Sequence, residues 1–73
     1  MIIPHAPGTA VPVTIRYTNY RGETSTRSVM PLRIWFGTNE WHREPQWLMD
    51  GIDLRRSVER SFALAAITGW KQE

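Results

Sequence analysis

The chain has 73 residues, enough for one domain and no more, and a chain this short buries only about 60% of the surface its unfolded form exposes. It has no cysteine, which excludes disulfides and thiolate metal sites, so four Trp, two Tyr and two Phe must supply much of the core. The net charge of +2 is too small to demand a polyanion partner, and no apolar run approaches the roughly 18 residues of a membrane span.

Residues 1–11, with Pro4, Pro7, Gly8 and Thr9, read as a flexible N-terminal arm. The opening Met1-Ile2-Ile3-Pro4-His5 lacks the charged region and apolar core of a secretory leader, so a cytoplasmic location is expected. From Val13 the pattern alternates. Val13, Ile15 and Tyr17 share one face, and Thr14, Arg16 and Thr18 the other, which predicts a half-buried strand. Asn19 and Gly22 mark a turn, and Thr24–Arg27 restarts an extended segment, giving a hairpin. The second strand runs through Val29 and Met30 to Pro31, which cannot donate to a ladder and marks an edge, a bulge or a break.

Leu32, Ile34 and Phe36 then alternate with Arg33 and Trp35. A turn is expected at Gly37–Glu40, a polar and aromatic loop at Trp41–Pro45, and a long strand over Gln46–Asp53, with Gly51 as a weak point or bulge. The last third has two readings. Asp53 can cap a helix carrying Leu54, Val58 and Phe62 on one face, and local propensity slightly prefers this. The rival is a turn near Leu54–Ser57, a strand over Val58–Ala63 and one helical turn at Leu64–Ile67. Gly69 ends either version, and residues 70–73 read as a C-terminal tail from which Trp70 can fold back.

Three pieces stand in a suggestive order: Ile15-Arg16-Tyr17 opening the hairpin, Arg27 with Val29-Met30-Pro31-Leu32, and Trp47-Leu48-Met49 followed by Arg60-Ser61-Phe62-Ala63-Leu64 and Ile67. The chain thereby resembles the WYL domain over about residues 13–67. Leu48 stands where that family has the tyrosine of its signature, and Ala66 where it has a second arginine. The resemblance implies a mainly β fold, a small SH3-like or Sm-like five-stranded, partly open barrel with a short C-terminal helical turn. On that ground the strand reading of the last third is adopted, with a single domain over residues 12–69. Leu48, Phe62 or Leu64 is then expected at the centre of the barrel. The resemblance also implies a bacterial or phage origin and a regulatory binding role. The family's usual helix-turn-helix partner domain finds no room in 73 residues.

Eight of the nine basic residues are Arg, whose planar fork suits phosphate and carboxylate and stacks on rings. The resemblance makes Arg60 the leading ligand residue, holding an anion by paired N–H bonds; the bland alternative is an ion pair with Asp50 or Asp53. Arg27 is a second candidate, or a solvated strand residue. Arg16 and Arg33, with Trp35, make a basic stripe for a single strand if their strands are neighbours, and otherwise an ordinary outer face. Trp47 reads first as core and second as a ligand platform. Trp41 and Arg43 are expected to contact a partner if exposed, or Trp41 anchors its loop.

No cofactor or metal is expected, since His42 with Glu44 or His5 is not a recognisable ligand set. No catalytic constellation is present in the sequence, so a non-catalytic module is expected. Its ligand would be a small anion, a nucleotide or single-stranded nucleic acid. The competing expectation is a protein–protein or self-association domain using exposed Trp side chains or a strand edge.

Overall fold

The computed structural model describes residues 11–73. The arm expected over residues 1–11 lies, apart from Val11, outside the described residues, as does His5. Five strands form one antiparallel sheet: β1 (Val13–Thr18), β2 (Thr24–Gly37), β3 (Gln46–Asp53), β4 (Val58–Ala63) and β5 (Ile67–Gln72), in the order β4-β3-β2-β1-β5. One 3-10 turn, Leu64–Ala66, links β4 to β5. The chain is therefore mainly β, but the sheet does not close on itself: among the described residues β4 and β5 are its two outer strands. No helix among them is long and apolar enough to cross a membrane.

The helix that local propensity favours from Leu54 does not form. Asp53 caps a turn instead. Its Oδ1 accepts the Arg55 and Arg56 amides at 3.1 and 3.2 Å, and its carbonyl accepts the Ser57 amide at 2.7 Å. Ser57 closes the turn at φ +56°, in the left-handed region. The tail expected at residues 70–73 is instead largely strand, with Trp70 paired to Ile15 and Gln72 to Val13. A short apolar-poor segment carries no clear period, so its pairing is set by β1 rather than by its own residues.

Pro31 is resolved as a bulge. It pairs with Gly51, Arg33 pairs with Asp50, and Leu32 is the extra residue between them. Gly51 is the partner opposite, not the irregular residue. A straight 14-residue strand would run about 43 Å from first to last Cα at the usual rise. The longest principal extent of the described residues is 33 Å, so β2 bends, and the turns at its two ends line one depression.

One face of the sheet, the front, carries the core. Residues paired directly across strands share a face. Val13, Ile15, Val29, Met49 and Phe62 form its buried cluster, flanked by Tyr17, Ile34, Leu64 and Ile67. Phe62 meets Tyr17 edge-on with centroids 5.1 Å apart, worth about 0.5–1.5 kcal/mol beyond the area they bury. Of the three side chains expected at the centre, Phe62 is there and Leu64 packs against it. Leu48 is fully buried but on the back, opposite Trp35 and Ala63.

Candidate functional site

The bend in β2 brings three segments around one open depression on the front. The β1–β2 turn contributes Asn19, Tyr20 and Arg21, the β2–β3 loop contributes Asn39 to Arg43, and β4 contributes Glu59 to Phe62. Tyr17, Arg27 and Arg56 complete the lining. Five arginines therefore stand around this depression with Glu40 among its lining, Asp53 shared by two of them, Arg27 and Arg56, and the Glu59 carboxylate turned to Arg33 on the back. Such a surplus in one concavity concentrates positive potential and attracts anions.

Arg60 lies on the front of β4 opposite Gly51. A Cβ on Gly51 would come within 2.5 Å of Val29 Cγ1, so the tight packing of the front admits no side chain beside Arg60 there. The alternative reading of Arg60, an ion pair with Asp50 or Asp53, is absent among the described residues, where both carboxylates are engaged by other arginines. Asp50 is buried on the back, 2.5 Å from Arg33 and from the Ser61 hydroxyl that donates to it. Asp53 is buried on the front, where one oxygen lies 3.5 Å from both Arg27 and Arg56. Arg27 is thus not a freely solvated strand residue. Its side chain is only 19% exposed and leans on Asp53.

The turns at the rim are tightly organised. Asn39 Oδ1 accepts the amides of Trp41 and His42 at 3.0 and 2.7 Å and lies 3.1 Å from His42 Nδ1. Asn19 Oδ1 accepts the amides of Arg21 and Glu23 at 2.9 and 3.0 Å. These Asx turns hold Trp41 and Tyr20 outward, 79% and 89% exposed. The loop-anchor reading of Trp41 is thereby excluded.

Four of the eight residues singled out from sequence meet here: Arg60, Arg27, Trp41 and Arg43. The other four do not. Arg16 and Arg33 make no stripe, because β1 pairs with β2 only as far as Val29 and Arg33 lies beyond it, tied to Asp50 and near Glu59. Trp35 is half-buried on the back against the position of Gly37, with its indole nitrogen unpaired among the described residues. Trp47 is not core: it is 46% exposed and meets the exposed Phe36 edge-on at 5.4 Å, away from the depression. Sequence reasoning passed over Tyr20, Arg21 and Arg56 as turn residues. An aromatic beside an arginine at a hairpin tip was the available signal for the first two.

Among the described residues no three His, Asp or Glu side chains converge on a point that would hold a metal ion, and His42 is turned to Asn39. Comparison of the chain with protein-family models, with curated proteins and with solved structures found no match to any of them.

Proposed function

We propose that this domain is a non-catalytic binding module of WYL-like, SH3-like type, a partly open barrel whose front depression takes a nucleotide or a single strand of nucleic acid. The observation that carries this reading is the arginine surplus around exposed rings: Arg60 has no carboxylate partner among the described residues, and Arg21, Arg43 and Arg56 stand around the same opening. Phosphates supply the counter-charge that Arg60, Arg21 and Arg43 lack among the described residues and that Arg56 shares with Arg27 at Asp53, in the bidentate geometry guanidinium groups favour.

The test is a titration with a fluorescein-labelled dT12 strand at two salt concentrations. Binding is expected to weaken steeply with salt, and Arg60→Ala is expected to weaken it about tenfold and to flatten the salt slope by about 0.7, the loss of one phosphate contact. Arg33→Ala, on the back, leaves both unchanged. Equal losses from Arg60→Ala and Arg33→Ala would remove the depression from the site.

A second reading, self-association, is favoured by Phe36 and Trp47, which are 57% and 46% exposed side by side. A mass that rises with concentration in sedimentation, and falls back in Trp47→Ala, would support it.

A further inference from the structure

Tyr20 and Trp41 sit in turns at opposite ends of β2, yet both line the same depression. A small domain with few rings to spare leaves these two almost wholly in water. Neither is held loosely. Each follows an asparagine whose side-chain oxygen fixes the turn. Tyr20 is further held by Arg21, whose guanidinium stacks 5.5 Å from the ring centre while its Nε donates to the phenol oxygen at 3.2 Å. The Tyr20 ring is thus held in place and the Trp41 backbone is fixed in its turn, so each loses less freedom when a flat partner stacks on it. Arg56 and Arg60 line the same opening as the two rings.

We infer that Tyr20 and Trp41 are two separate base-stacking platforms, and that the ligand is a run of unpaired nucleotides spanning both rather than a mononucleotide. The inference rests on the nucleic-acid reading above. One base covers one ring. A strand can place a base on each ring and set the intervening phosphates on Arg60 and Arg56. Stacking tolerates every base, so little sequence preference follows. Asn19 and Asn39 act as positioning residues for the two rings.

The experiment compares dT12, an abasic strand with the same number of phosphates, thymidine monophosphate and poly-glutamate by fluorescence anisotropy and competition. The full chain is used as parent, Tyr20→Ala, Trp41→Ala and the double variant. Both rings are exposed, so unchanged melting curves are expected to show that the variants fold. Each single variant is expected to bind dT12 about tenfold more weakly at an unchanged salt slope. The abasic strand and the monophosphate are expected to bind the parent at least tenfold more weakly than dT12. If dT12 binds the parent and loses affinity in Arg60→Ala, but binds both ring variants as tightly as the parent, the platforms are overturned while the anion site stands. An abasic strand or a poly-glutamate chain that competes as well as dT12 overturns them too. If dT12 does not bind the parent at all, the nucleic-acid reading itself falls.

Discussion

Asp50 and Asp53 lie three residues apart on β3, so they face opposite sides of the sheet, and the two sides treat their arginines differently. On the back, Asp50 meets one guanidinium, Arg33, with Glu59 close by and the Ser61 hydroxyl filling a further lone pair. Charge there is matched. On the front, Asp53 divides one carboxylate between Arg27 and Arg56 and also caps the turn, while Arg21, Arg43 and Arg60 add positive charge that it does not reach. The presence of arginine distinguishes neither side. The local ratio of arginine to carboxylate does, and only the three-dimensional arrangement sets that ratio.

The largest test of this contrast is Asp53→Ala. It removes the cap and leaves Arg27 and Arg56 without a counter-charge, and should cost about 3–5 kcal/mol in urea unfolding. Asp50→Ala should cost less, about 1–3 kcal/mol, because Arg33 is 58% exposed and can return to water. A larger loss at Asp50 than at Asp53 would break the comparison. Asp53→Asn sharpens it. The amide oxygen keeps the turn cap, the two arginines lose their carboxylate, and dT12 should bind several-fold more tightly with a steeper salt dependence. Asp50→Asn should leave dT12 binding as it was.

Smaller effects follow from the surroundings of the two aspartates. Ser57 holds φ +56° in the turn that Asp53 caps, so Ser57→Gly should gain up to about 1 kcal/mol, read as a raised melting temperature. The smallest effect is on the back. Glu73 accepts the hydroxyls of Thr14 and Ser28 at 2.6 and 2.7 Å, and these bonds hold its carboxyl below the ordinary value of 4.5. A group lowered in the folded state stabilises above its unfolded value and loses that contribution as pH falls through the folded one. Glu73→Gln should therefore remove a small component of acid destabilisation below pH 4.5, seen by comparing melting curves of parent and variant between pH 6 and pH 3.

Much of the strand pattern was legible because period-two alternation is local. Val13–Thr18, the Asn19–Gly22 turn and Gln46–Asp53 follow from the residues themselves. The Val58–Ala63 strand was reached through the family resemblance, against a helix that Leu54, Val58 and Phe62 also satisfy. Tertiary pairing to β3 decides between the two. Trp70 was misplaced because the segment after Gly69 has no alternation of its own and becomes a strand only beside β1. The site was less legible for a related reason. The Leu32 bulge shifts the alternation along β2 and puts Arg33 on the back with Arg16, but Arg33 lies beyond the last residue of β2 paired to β1, so the two stay apart. Trp47 looked like core by size, but lies near the end of a hairpin that nothing among the described residues covers.

Among the described residues the open sheet has two flanks, β4 and β5, and the outer edge of a sheet offers amides and carbonyls to any extended chain that drifts alongside. Charged side chains guard both: Glu59 and Arg60 on one flank, Lys71 on the other. Neutralising them would invite fibre growth well before it loosened the fold. Arg60→Val is therefore expected to lower the concentration at which the protein stays clear in solution, read by light scattering.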